Sequence, residues 1–252
     1  MIQKHMNINK SKILSYWVIG KHAVVGALNN PDRINYRLCI TAENYEKIQT
    51  NNIKLEPEIM SRTEISKLTN NNIHQGLALL TKPLEKKNLN NYLNQNKNKK
   101  KIFIILDQIN DSQNVGAIIR SATAFNASGI IILDKNSPNE NSALSKAAAG
   151  TLEIMPLFRV SNLVQTIKLL KQNNFWTVGL EAKAIKTLKE VNETSKIFSE
   201  NIAIVMGRES KGIRNLVKDN CDMTAKINIK NSIESLNVSV ALAISLYEMN
   251  RS

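Results

Sequence analysis

Four short apolar runs constrain this chain most: residues 102–106 (IFIIL), 130–133 (IIIL), 176–180 (WTVGL) and 202–206 (IAIVM). A strand with one wet face alternates apolar and polar residues, so such runs are expected of strands covered on both faces of a parallel sheet. Stretches of helical spacing lie between them at 115–125, 142–149 and 163–172, and a last one at 238–249 closes the chain. Strand and helix alternate, which predicts a doubly covered α/β domain over 102–252 with ligands at the carboxyl ends of its strands.

The first part of the chain has another character. Residues 1–15 read as a basic tail. Trp17-Val-Ile-Gly20, a helical stretch at 22–28, a short strand at 37–41, a polar helix near 42–49 and a strand at 76–80 predict a small α/β unit over 16–84. Residues 85–101, dominated by Asn, Lys and Gln, are expected to form a linker or a solvated helix. Charge follows the same division. Residues 1–101 hold 17 basic and 7 acidic side chains, whereas 102–252 hold 17 and 14. A basic region suits a phosphate-rich partner, since Lys and Arg gain affinity by releasing counterions from nucleic acid; a solvated Lys-rich surface is the alternative.

Composition also excludes function classes. No run approaches the roughly 18 apolar residues of a membrane span, and the Lys- and Asn-rich start is unlike a secretory signal. Cys39 and Cys221 are far apart and the three histidines are scattered, so neither a disulfide framework nor a metal centre is expected. The expected location is the bacterial cytoplasm, or a mitochondrion if the source is eukaryotic.

Polar residues collect where the architecture predicts a site. Residues 107–116 (DQINDSQNVG) follow the first buried run and lead into a helix carrying Arg120. Residues 207–213 (GRESKGI) follow the last run, and 227–229 (INI) and 235–239 (SLNVS) come after it. Each has a plain alternative: Asn114, Ser235 and Asn237 could be helix caps, and Arg120 a surface charge. The nine glycines include no G-x-G pair, so the dinucleotide fingerprint is absent. Gly207 and Gly212 begin a P-loop spacing, but Ile213-Arg214 replaces Lys-Ser/Thr, which disfavours a nucleotide triphosphatase.

Three ordered segments, Asn114-VGAII-Arg120-SATA-Phe125, Ile204-VM-Gly207-R-Glu209-SK-Gly212 and Ser235-L-Asn237-V-Ser239-VA, resemble the motifs of the SpoU family of RNA ribose 2′-O-methyltransferases, in the SPOUT class. The resemblance extends to 147–153, 157–163, 19–24 and 74–76 and covers about residues 17–250. It implies an L30e-like domain for RNA binding, then an α/β domain with a deep trefoil knot, which general topology rules would argue against. It further implies S-adenosylmethionine as cofactor, held at Gly207, Ile227, Ile229 and Leu236. The catalytic positions carried over are Arg120, Asn114, Glu209, Ser235 and Asn237, in a homodimer joined through the knot domain.

By this resemblance Arg120 activates the ribose hydroxyl, Asn114 orients Arg120 or the ribose, and Glu209 positions the cofactor or a partner side chain. Ser235 and Asn237 hold substrate and loop. A guanidinium normally stays protonated, so two roles stay open: an unusual base, or a cation that binds the neighbouring phosphate and stabilises developing charge. The substrate implied is a guanosine of large-subunit rRNA, with tRNA or a non-catalytic RNA-binding role as alternatives. Three positions depart from the family pattern: Asn126 and Asn231 stand where Gly is frequent, and Asn228 where Pro is common, which implies weaker cofactor binding.

Overall fold

The structure, a computed structural model, describes residues 14–48, 55–70, 73–95, 100–230 and 232–251. The tail expected at 1–15 therefore lies almost wholly outside the described residues, as do Asn231 and residues 96–99.

The small unit is a four-stranded sheet in the order β1 (Tyr16–Ile19), β4 (Leu77–Thr81), β2 (Asn35–Ile40), β3 (Pro57–Ile59). Three helices accompany it: α1 (Lys21–Asn29), α2 (Ala42–Lys47) and α3 (Arg62–Leu68). Ser61 and Glu64 form a capping box that starts α3, pairing two otherwise orphaned backbone donors. Val18, Val24, Leu38, Ile40, Leu77 and Leu79 pack on one face; Ile19, Cys39, Ile65 and Ala78 pack on the other.

The second unit is a six-stranded, all-parallel sheet. Its order is β10 (Met223–Ala225), β8 (Phe175–Leu180), β9 (Asn201–Met206), β5 (Ile102–Leu106), β6 (Gly129–Leu133), β7 (Leu157–Val160). The chain runs outward from β5 through β6 to β7, then resumes on β5's other side. The strand order thus reverses between β5 and β9, the place where open parallel sheets bind ligands.

Consecutive residues of the apolar runs feed opposite cores. Ile102, Ile104 and Leu106 join one core beneath α5 (Ser112–Ala124) and α10 (Val238–Arg251), whereas Phe103 and Ile105 join the other beneath α7 (Leu163–Gln172). This is why β5 shows no alternation: both faces are covered. Helices α6 (Ser142–Ala148), α8 (Leu188–Ser195) and α9 (Asn215–Lys218) complete the layers. Among the described residues no helix is long and apolar enough to cross a membrane.

Two expectations need correction. The segment 85–101 is not simply a solvated link, because α4 (Leu89–Gln95) buries Leu89 and Leu93 in the second core and sets Tyr92 edge-on to Phe103 and Phe158. Three apolar residues at helical spacing, 89, 92 and 93, suffice for this despite the surrounding Asn and Lys. Helix α5 begins at Ser112 rather than Val115, capped by Asp111, whose side chain accepts from Gln113 N. Arg120 therefore lies a little over two turns into the helix, deeper than expected.

Candidate active site at the strand ends

Three of the loops expected to matter meet. Glu209 Oε1 accepts hydrogen bonds from Asn237 Nδ2 at 2.8 Å, Val238 N at 3.2 Å and Asn114 Nδ2 at 3.4 Å, and Asn237 Nδ2 also donates to Asn114 Oδ1 at 2.9 Å. Asn237 is in addition the N-cap of α10, its Oδ1 accepting from Ser239 N at 2.9 Å. The capping alternative therefore holds for Asn237 alongside the network. It fails for Asn114, which sits inside α5 with Asp111 as the cap.

The loop at 207–213 is a tight ring. Arg208 and Gly212 exchange backbone hydrogen bonds at 3.1 and 2.8 Å. A Cβ on Gly207 would lie 2.0 Å from the Gly212 carbonyl carbon, so no side chain fits there. Besides the Glu209 bonds, further contacts hold the ring and its exit: Arg208 Nε donates to Gln108 O, Ile213 N to Glu181 Oε1, and Arg214 N to Asp107 Oδ2, at 2.8 to 2.9 Å. Asp107, whose carboxylate is fully buried, also takes the Arg214 guanidinium through Nε and Nη2, each at 2.8 Å. A buried carboxylate is stable only when paired in this way.

Asp107 and Glu181 were not among the expected site residues. The signal for Asp107 is its place directly after five apolar residues, where an unpaired charge would not be tolerated. Glu181 likewise follows the run at 176–180 directly, but its partner, a backbone amide 32 positions on in the chain, has no mark in the sequence.

Arg120 stands apart. It is exposed, and it makes no hydrogen bond or ion pair with any described residue. Asn114 turns to Glu209 and Asn237, so of its two expected roles, orienting Arg120 or the ribose, the first has no contact within the chain. Six residues along a helix rotate about 240°, which separates the two side chains. Ser235 is exposed ahead of α10, without a partner among the described residues.

The expected cofactor positions lie on loops beyond the strand ends. Ile227, Ile229 and Leu236 are half-buried, belong to neither core, and make no hydrogen bond to another described residue. With Gly207 they lie on loops that follow β9 and β10, beyond the carboxyl ends of the strands, and offer amides, carbonyls and aliphatic side chains of the kind a nucleoside uses. No cluster of His, Cys, Asp and Glu suited to a metal occurs among the described residues.

Comparison with known proteins gives the family. Residues 101–247 match the SpoU rRNA Methylase family, and residues 17–87 match the RNA 2′-O ribose methyltransferase substrate-binding family. The chain belongs to the SpoU methylase family. A Staphylococcus aureus (strain COL) protein assigned to the TrmH family of tRNA/rRNA methyltransferases is 35% identical over 242 residues, 93% of this chain and 95% of that protein. The 23S rRNA (guanosine-2′-O-)-methyltransferase RlmB of Coxiella burnetii (strain RSA 493 / Nine Mile phase I) is 34% identical over 249 residues, 96% of each. The SpoU methyltransferase AviRb of Streptomyces viridochromogenes, solved with AdoMet, shares the fold with a TM-score of 0.77 at 19% identity, covering 94% of this chain and 89% of that one. Within the SpoU family, then, the three motifs of this chain lie on loops that its fold brings together.

Proposed function

We propose that this SpoU protein uses S-adenosylmethionine to methylate the ribose 2′-hydroxyl of a guanosine in large-subunit rRNA, in the bacterial cytoplasm. The observation that carries the reading is the convergence of Asn114, Glu209 and Asn237, one from each motif; Gly207 and Leu236, near two of them in the chain, are read together with Ile227 and Ile229 as the cradle of the cofactor. A pure RNA-binding protein has no use for that network. The rRNA guanosine is supported by the Coxiella relative, while the Staphylococcus relative, of a tRNA/rRNA methyltransferase family, keeps a tRNA target as the second reading.

In this reading residues 16–84 are an L30e-like RNA-binding domain, 85–101 join it to the rest, and 102–252 are the methyltransferase domain. That domain carries the deep trefoil knot, with the ring at 207–213 lying against the start of α10. Its partner is a second copy: Val240, Ile244 and Tyr247 form an exposed apolar stripe on α10, with spacing that puts them on one helix face. Arg120, which has no hydrogen bond or ion pair among the described residues, then serves the partner's site.

The cofactor, when bound, supplies the methyl group on a sulfonium. The chain's own residues orient and stabilise. Asn114, Glu209 and Asn237 fix the ring and the start of α10 around the cradle, and Ser235 offers a hydroxyl to the substrate. The Arg120 guanidinium fork matches the phosphate beside the attacked ribose and stabilises negative charge developing there. Mapping ribose 2′-O-methyl marks in total RNA with and without the gene tests the assignment. A single mark lost from large-subunit rRNA is expected, a lost tRNA mark would favour the other substrate, and an unchanged map would sink the enzymatic reading.

A further inference from the structure

Glu181 follows β8, the strand between β9 and β10, and its backbone amide donates to Ala225 O at 2.9 Å. The loop it opens stays against the chain beyond β10, since Lys226 N donates to Lys186 O and Leu188 N to Lys226 O. Its backbone thus runs beside the end of β10, while its carboxylate lies against the ring at 207–213. One oxygen is occupied: Oε1 accepts from Ile213 N at 2.9 Å. The other, Oε2, has no hydrogen-bond partner among the described residues.

The ring is shaped to admit this group. Gly212 has φ +64°, and a Cβ there would lie 3.0 Å from Glu181 Oε1 and 3.3 Å from Oε2. Any other residue at 212 would be strained and would press on the carboxylate. A half-buried carboxylate on the ring that begins at Gly207, with one oxygen pinned and one free, is oriented before any ligand arrives.

We propose that Glu181 is a cofactor-contacting residue whose free carboxylate oxygen accepts hydrogen bonds from the ribose hydroxyls of the nucleoside in this cradle. The chemistry is that of acidic residues beyond strand ends in other α/β sheets, where a carboxylate takes ribose hydroxyls. The inference rests on the cofactor reading above. The bland alternative is that Glu181 only holds Ile213 N.

Glu181→Gln separates the two, because the amide keeps an oxygen for Ile213 N and loses the charge. Calorimetric titration of the full-length protein would use S-adenosylhomocysteine and 5′-methylthioadenosine, which has the ribose and adenine but no ammonium group. The expected result is that both bind about tenfold more weakly to Glu181→Gln, the usual effect of removing a hydrogen bond to a charged group. Thermal stability should change little. Unchanged affinity for both would reduce Glu181 to a support for the ring, and weakening confined to S-adenosylhomocysteine would move its contact to the ammonium, overturning the ribose assignment. If the unaltered protein bound neither compound, the cofactor reading itself would fail.

Discussion

Glu209 and Asn237, 28 positions apart, meet through a 2.8 Å hydrogen bond that ties the loop after β9 to the first turn of α10. The same Asn237 amide reaches Asn114 on α5, so three segments of chain share one polar node. Both residues are exposed, so the node contributes less to global stability than to local order.

The node should therefore affect activity more than folding. Glu209→Gln and Asn237→Ala are each expected to cost about 1 kcal/mol or less in stability, with a pairwise coupling of similar size in a double-mutant cycle. Methyl transfer should fall at least tenfold in each. Chemical denaturation and single-turnover methylation of the same samples compare the two losses.

Arg120 carries the central chemical assignment. Arg120→Ala should abolish most methyl transfer at saturating cofactor and RNA while leaving the affinity for S-adenosylhomocysteine within about twofold, because no described residue relies on its side chain. Arg120→Lys should restore little, since an ammonium lacks the bidentate fork. If Arg120 acts across a dimer, mixing Arg120→Ala with Glu209→Gln subunits should recover activity that neither variant has alone. Full activity of Arg120→Ala would remove it from the mechanism.

The two units are locked together by Arg33, whose side chain is wholly buried. Its Nη1 donates to Glu140 Oε2 at 2.8 Å and its Nη2 to Glu153 Oε1 at 2.7 Å, joining the small unit to the segments flanking α6. Although burial opposes its charge, hydrogen bonding to Glu153 and the nearby acids hold the guanidinium above its ordinary range. Arg33→Met strands two buried carboxylates and should cost about 3–5 kcal/mol in thermal or chemical unfolding. Adding Glu140→Gln and Glu153→Gln should recover most of that loss. Truncation at residue 101 strands the same carboxylates, so RNA docking by the small unit is better tested through Lys21→Gln and Lys67→Gln. Both lysines are exposed, and loss of their phosphate contacts should flatten the salt dependence of RNA binding.

His74 makes stability pH-dependent. Its Nδ1 accepts from Gly76 N and its Nε2 meets Ser66 Oγ, each at 3.0 Å. Burial, with Arg62 and Lys146 nearby, pushes its pKa below the ordinary imidazole value. The unfolded chain, titrating near pH 6.5, binds the proton more readily than the folded one. Stability is therefore full above that value and declines as pH falls through it, levelling off only below the folded pKa. The melting temperature should drop between pH 7 and pH 5 by an amount that His74→Gln largely removes. An equal drop in the variant would place the titration elsewhere.

Much of the fold was legible because burial on both faces imposes a plain pattern. All four apolar runs became strands, and the helical stretches at 142–149 and 163–172 differ from α6 and α7 by at most one residue. What escaped were elements with weak local signals. Strand β10 has three residues and is defined by its pairing with β8, and α4 hides its three apolar contacts in an Asn-rich stretch. Asn126, expected to tolerate the left-handed backbone where glycine is frequent, has φ +57°. Asn228 is exposed in the cradle loop.

By itself the sequence determined the covered parallel sheet, the loops that carry chemistry and the family to which they belong. Periodicity and motif order are local properties that survive without coordinates. Only the tertiary structure decided which polar residues face one another: Asn114 with Glu209 and Asn237 rather than with Arg120, Asp107 with Arg214, and Arg33 with Glu140 and Glu153. Those pairings depend on helix rotation and on where distant strands end side by side, and a hydrogen bond is sensitive to differences of a few tenths of an ångström.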